Sequence, residues 1–378
     1  MIFTDLRFLL LFAVAGLLFS LVPRRWRMGV LAAWGIVFYS MYAGWALGIV
    51  LPLVALIYGS MRVRLLTWVA GVATVGVLTY FKLGPDLRFS GVIVPLGLSY
   101  LSFELLHVAV ERHRGRLAAV GAMDLLAFAF FAPARVAGPI KRFPQFVTAV
   151  HDAEISAASV YAGLLRILLG LAKKYLLADV LALTVAEHVY ASSMRQAWTV
   201  VFAYSLQIFF DFSAYSDIAI GLARILGIRL PENFDWPYFS ANIREFWQRW
   251  HITLSQWVRD YIFVPAGRGL FKTWLRPFPL AIAAISYLLT FAAVGAWHGL
   301  TAGFLVWGLY HGILLTLYHI ARVKTPPRIS DHPWYNAPLT RAVSMAVTFL
   351  LVTIGWVPFM VPLGEARKLL ALMFGVAR

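Results

Sequence analysis

The chain has 378 residues and not one cysteine. That excludes disulfides, thiolate metal sites, a cysteine nucleophile and an acyl-thioester carried on the chain itself. Charge is scarce: 13% of residues, against about 25% in soluble domains. Between Pro277 and Ile320 there is no Asp, Glu, Lys or Arg at all. Acids are scarcer than bases, 17 against 33, which leaves a net charge of +16. No long polar stretch, low-complexity tract or convincing repeat interrupts the chain, so no soluble domain is expected. H-E-x-x-H is missing, and His311 and His319 are too far apart in sequence for a local chelate, so no metal site is expected. A G-x-S-x-G elbow is also missing, which argues against a serine nucleophile.

What is present is apolar: 61% hydrophobic residues, 15% aromatic with 14 tryptophans, and a mean hydropathy of +0.77. These imply an all-α polytopic membrane protein forming one transmembrane domain over 1–378. The excess positive charge fits positive-inside anchoring and anionic lipid rather than nucleic acid. Asp5 ahead of the first apolar run, and Arg24, Arg25 and Arg27 after it, read as a stop-transfer pattern and not a cleaved signal peptide.

Taken in order, Phe8 to Val22 is a short first span. Gly29 to Tyr58 is too long for one crossing and should turn near Gly44. Leu65 to Tyr80 goes out, Lys82 to Arg88 is an outer loop with Pro85, and Val92 to Val110 returns to the basic loop Glu111 to Arg116. Basic clusters on one side put the N-terminus outside. After the short apolar Leu125 to Phe131, the stretch Pro133 to Pro144 holds three prolines and cannot be a straight helix. It is either a surface loop or a re-entrant segment lining a passage. Ile155 to Val185 and Trp198 to Leu226 are long helices. The second carries Asp211 and Asp217, readable as an acid/base pair or as partners for basic side chains. Pro265 to Gly269 is expected to be a flexible loop. The run from Pro277 to Ile320 suffices for two spans, with Gly295, Gly299 and Gly303 at four-residue spacing for close helix approach. Arg322 to Pro338 is a polar loop, and Ala342 to Val361 a last span broken near Pro358 and Pro362. The total is roughly ten to twelve crossings at about 20 residues each.

One stretch is far more polar and aromatic than the rest: NIREFWQRWHITLSQWVRDYI, Asn242 to Ile262. Its apolar positions recur at helical spacing, and Arg244, Gln248, His251, Ser255 and Arg259 share another face. Asn242 can cap the start, Glu245 can reach back, and Glu245 and Arg249 form a favourable i,i+4 pair. The expectation is one amphipathic helix with His251 on its polar face. Without further information that is equally an in-plane anchor with no chemistry.

Chemistry narrows to histidines and carboxylates. His251, and His298 among the glycines, can each be a hydrogen-bonded structural residue. Together, amid arginine and tryptophan, they fit general-base activation of a hydroxyl, because imidazole titrates near neutrality. A proton-coupled transporter using Asp211, Asp217 and His298, and an inactive scaffold, are the competing readings.

The run FFDFSAYSDIAIGLARILGIRLPENFDWPYFSANIREFWQRWHITLSQWVRDYIFVPAG resembles the signature region of the membrane-bound O-acyltransferase family. AWHGLTAGFLVWGLYHG resembles its histidine motif. PLGLSYLSFELLHVAVERHRG, FFAPARVAGPIKRFPQF and GLLRILLGLAKKYLLAD resemble its earlier blocks. The similarity is nearest to the alginate O-acetyltransferase branch, with the teichoic acid D-alanyl branch as its relative, and its core lies at about 95–320. The resemblance implies a ring of tilted helices around a funnel and tunnel, with in-plane and re-entrant helices. It puts the catalytic histidine on His298 and the second active-site polar position on His251. Arg249, Trp250, Ser255, Arg259, Asp260, Trp297 and Asp211 are the expected substrate-binding residues. The implied donor is acetyl-CoA or a phosphopantetheinyl acyl carrier protein on the cytoplasmic side. The implied acceptor is a polysaccharide or a periplasmic or extracellular acyltransferase outside a bacterial inner membrane. Alginate-type members are longer beyond Pro362; the length here is nearer the D-alanyl branch, whereas RDYIFVPAG reads like the polysaccharide-acetylating one.

Overall fold

The structure is a computed structural model and describes residues 2–83, 93–118, 120–188, 190–326 and 337–376. Most of the outer loop at Lys82 to Arg88 and of the polar loop at Arg322 to Pro338 lies outside the described residues. Helices account for the regular structure, and no strand occurs among the described residues. Six helical stretches are long and apolar enough to cross a membrane: Arg24–Ser60, Leu65–Lys82, Met194–Ile225, Pro279–His298, Ala302–Lys324 and Pro338–Met360. A shorter apolar helix runs over Leu6–Leu21.

The residues fall into two compact units, Met1–Ala172 with Phe212–Glu232, and Lys173–Asp211 with Asn233–Arg378. The first contains α1 (Leu6–Leu21), α2 (Arg27–Ala43), α3 (Leu47–Ser60), α4 (Arg64–Leu83), α5 (Leu98–His113), α6 (Ala122–Phe130), α7 (Ala132–Arg135), α8 (Phe143–His151) and α9 (Ala157–Ala172). The turn expected near Gly44 is a 3₁₀ turn, Gly44–Ala46. The core of this unit is aromatic, with Phe8, Phe19, Phe38, Tyr39, Phe128, Phe130 and Phe131 fully enclosed.

The proline-rich stretch is not a surface loop. Pro133, Ala134, Arg135, Ile140 and Lys141 are buried, and the chain leaves the one-turn α7 to enter α8 at Phe143. Non-helical backbone is tolerated at membrane depth when protein encloses it, and here a charge cluster holds it. Lys141 Nζ bonds Glu104 Oε1, and Arg135 Nη1 lies 3.5 Å from Glu104 Oε2. The ammonium also sits 5.0 Å from the Phe128 ring centroid, a cation–π contact. Arg135 Nη2 donates to the Gly97 carbonyl at 2.8 Å, and His107 Nε2 accepts from Phe143 N–H at 3.0 Å. Two cations therefore share one carboxylate, all about 2% exposed.

The Asp217 carboxylate takes the structural role. It accepts from Arg166 Nε of α9 at 2.6 Å, and Arg166 also bonds Glu232. The two helices meet at Gly163 and Gly221, where a Cβ on either would come within 2.7 Å of the other's carbonyl oxygen.

The second unit begins with a π-helical stretch, Lys173–Ala178, and α10 (Asp179–His188). It takes the first part of α11 (Met194–Ile225), then α12 (Ile243–Arg249), α13 (Ile252–Val258), α14 (Val264–Leu270), α15 (Pro279–His298), α16 (Ala302–Lys324), α17 (Pro338–Gly355), α18 (Val357–Met360) and α19 (Leu363–Met373). Pro265 to Gly269 is helical as part of α14 and not a loop, with Pro265 in the first turn, where its missing N–H costs nothing.

Glu104→Gln removes the carboxylate that faces both Lys141 and Arg135. It should lower stability by about 3–5 kcal/mol, seen as a reduced melting temperature in detergent micelles. Glu104→Leu with Lys141→Leu should melt above that single variant.

Candidate active site

The stretch expected as one helix is broken in the middle. α12 ends at Arg249, α13 begins at Ile252, and His251 between them has φ 41. A π-helical turn, Arg259–Phe263, follows. The apolar periodicity continues across the break because short helices on either side keep the same faces inward. The cap is as expected: Asn242 Oδ1 accepts from Glu245 N–H at 2.9 Å, and Glu245 Oε2 reaches back to Ala241 N–H at 2.8 Å. Glu245 and Arg249 pair at 2.8 Å.

His251 is accordingly not on a polar face; it is 3% exposed. A non-glycine residue in left-handed conformation costs on the order of 1–3 kcal/mol and persists where its surroundings over-determine it. Here Ile252 N–H donates to the Asn233 carbonyl at 2.9 Å and Asp235 N–H to the Arg249 carbonyl at 3.0 Å. These bonds clamp residues 233–235 against the break. Trp236, φ 43, is the other described non-glycine residue with positive φ. Asn233 is fully buried, and its Oδ1 lies 3.0 Å from His251 Nδ1 and 2.9 Å from Thr253 Oγ1. Asn233 was not picked out from the sequence; the signal was a lone amide in the turn-rich LPENFDWP. Burial, and secondarily the nearby His298, lower the pKa of His251 to about 3, so its imidazole is neutral.

His298 is the last residue of α15 and half-buried. Its ring sits 4.5 Å from Trp297, 4.9 Å from Phe359 and 5.2 Å from Trp307, centroid to centroid. It therefore hangs from the C-terminal end of the helix, where the helix dipole is negative. The glycine ladder performs as expected: a Cβ on Gly308 of α16 would collide with the Phe291 carbonyl of α15, and one on Gly295 with the Phe304 carbonyl. His311 on α16 is fully buried, 5.2 Å from both Trp247 and Trp307.

A cavity of about 340 Å³ opens beside the broken helix. Arg244, Gln248, Ser255 and Arg259 line one wall and Tyr287 and Phe291 the other. Four of the five residues expected on the shared polar face thus line a cavity; His251 turns away because of the break. Asp260 pairs with Arg259 at 2.9 Å. Trp250 is core, between Phe234 and Trp356 at 5.2 and 5.0 Å. Asp211 pairs with Lys174 at 2.7 Å. Among the described residues, no group of three or more His, Cys, Asp or Glu could hold a metal ion.

The model of the family described as "MBOAT, membrane-bound O-acyltransferase family" matches residues 8–351. The chain belongs to the membrane-bound O-acyltransferase family. Its six helical stretches long and apolar enough to cross a membrane fit a multi-pass member. Among curated relatives, it is 36% identical to the probable alginate O-acetylase AlgI of Pseudomonas putida, over 75% of this chain and 55% of that protein. It is 32% identical to the teichoic acid D-alanyltransferase of Bacillus subtilis, over 70% and 68%. To the peptidoglycan O-acetyltransferase of Helicobacter pylori it is 32% identical, over 67% and 47%. The chain therefore spans about half the length of the alginate relative.

Gly308→Leu should force α15 and α16 apart, lowering the melting temperature and displacing His298. Gly269→Ala, where a Cβ meets nothing within 4 Å, should leave the melting temperature unchanged.

Proposed function

We propose that this membrane-bound O-acyltransferase moves an acyl group, acetyl in the first instance, from a thioester donor to a hydroxyl of an envelope polysaccharide or a relay protein. The observation that carries the reading is the pair of dissimilar imidazoles: His251 buried and neutral in a strained break, His298 half-exposed at a helix C-terminus. Alginate and peptidoglycan O-acetylation by the relatives supports the acceptor class. The donor is acetyl-CoA or a phosphopantetheinyl acyl carrier protein on the cytoplasmic side of a bacterial inner membrane. The acceptor, or a periplasmic acyltransferase that passes the group on, lies outside.

In the reaction, the acceptor oxygen attacks the thioester carbonyl while His298 takes the hydroxyl proton. The C–O bond forms, the tetrahedral intermediate collapses, the C–S bond breaks, and His298 returns the proton to the departing thiolate. His251 orients a reactant, and Trp297 and Trp250 keep water out. The cavity is of ligand size; its Arg244 and Arg259 suit the phosphate of a pantetheine-bearing donor, since guanidinium binds phosphate bidentately.

The second reading is D-alanyl transfer from a carrier protein to teichoic acid. The match to the D-alanyltransferase, which extends over more of that protein's length than the match to the Pseudomonas putida acetylase, favours it.

Reconstituted protein given radiolabelled acetyl thioester should transfer label to polysaccharide hydroxyls. Label moving only from a D-alanyl carrier would select the second reading, and movement of an unmodified solute alone would overturn both. His298→Ala should reduce turnover about 10²- to 10⁴-fold with unchanged yield of folded protein; wild-type turnover would remove His298 from its role. Arg259→Ala should raise the donor KM with a smaller effect on kcat.

A further inference from the structure

We infer that Asn233 is a positioning residue that fixes the tautomer of His251, placing the proton on Nδ1 and leaving Nε2 as a hydrogen-bond acceptor. The inference rests on the acyltransfer reading for its consequence, and on geometry for its content.

The atom of Asn233 that faces the ring is identified by its other partners. Thr253 N–H donates to it at 3.3 Å, and a backbone N–H can only donate, so the atom is the carbonyl oxygen and not the amide nitrogen. Thr253 Oγ1 lies 2.9 Å from the same oxygen. His251 Nδ1, 3.0 Å away, faces an atom that can only accept. In a neutral imidazole one nitrogen carries the proton and the other a lone pair, and the hydrogen bond made by one decides the state of the other. The proton is therefore on Nδ1.

Two further features keep the arrangement from relaxing. Asn233 and His251 are both buried, at 0% and 3% exposure, so water does not replace the bond. The backbone of the same asparagine also accepts from Ile252 N–H. One residue thus holds the main chain on one side of His251 and the ring of His251 itself. The amide is neutral, unlike a carboxylate, so it orients the imidazole without stabilising an imidazolium. That division matches a site in which His298 carries the proton and His251 does not. His251 can then hold a reactant only through a group that donates: the acceptor hydroxyl or an amide N–H of the donor.

The test uses full-length protein with ¹⁵N-labelled histidine in lipid nanodiscs, and identifies the His251 signals among the nine histidines by their loss in His251→Gln. Wild type should show a protonated Nδ1 and an unprotonated Nε2. Asn233→Leu should shift the ring to the other tautomer or a mixture, with turnover falling about 10²-fold or more. Asn233→Asp, which keeps the acceptor oxygen, should recover part of that loss. Thr253→Val removes one bond to the same oxygen without touching the ring, and should leave the tautomer in place; it controls for packing damage if Asn233→Leu folds poorly. A proton found on Nε2 in the wild type, or an unchanged tautomer in folded Asn233→Leu, overturns the assignment. A shifted tautomer with undiminished turnover upholds the assignment and counts instead against the role given to His251.

Discussion

Burying an ionised or hydrogen-bonding side chain among apolar groups costs several kcal/mol unless a partner goes with it. This constraint explains the placing of several polar side chains. Glu104 meets Lys141 and Arg135 beneath the proline-rich segment. Arg166 meets Asp217 where two glycines bring helices together. Asn233 meets His251 and Thr253 at the break. Each pair ties a segment that lacks regular hydrogen bonding, or a close helix crossing, to a neighbour that cannot slide without breaking it.

The two histidines show how one side chain can be given two different surroundings. His251 has its backbone held by residues 233–235 and its ring by an amide, in surroundings that disfavour charge. His298 is at a helix end, among aromatic edges, with part of its surface open. The contrast comes from backbone position as much as from neighbours: one ring hangs from a strained turn, the other from the last residue of a regular helix.

Much of this was legible from residue order. The charge-free run after Pro277 becomes α15 and α16, and Gly295 and Gly308 lie where carbonyl oxygens of the facing helix approach. Asn242 caps α12. The break at His251 was hidden because Trp247, Trp250, Leu254 and Trp257 keep a helical period through it. Periodicity reports which side faces inward, not whether the hydrogen-bond ladder is continuous. The helix at Val264–Leu270 was hidden by its glycines, which weaken helix propensity but do not forbid a helix packed on neighbours.

Composition and residue order decided that the chain is helical, lies in a membrane, carries no thiol of its own and has two histidines in distinct motifs. Those properties follow from local propensity and hydrophobicity, which act residue by residue. Only tertiary contact decided that Asn233 stands behind His251, that Pro133 and Pro139 are enclosed over a charge cluster, and that Arg244 and Arg259 open onto one cavity. A hydrogen bond over 3 Å depends on where distant segments are brought together, and nothing in the order of residues from 233 to 251 states that distance.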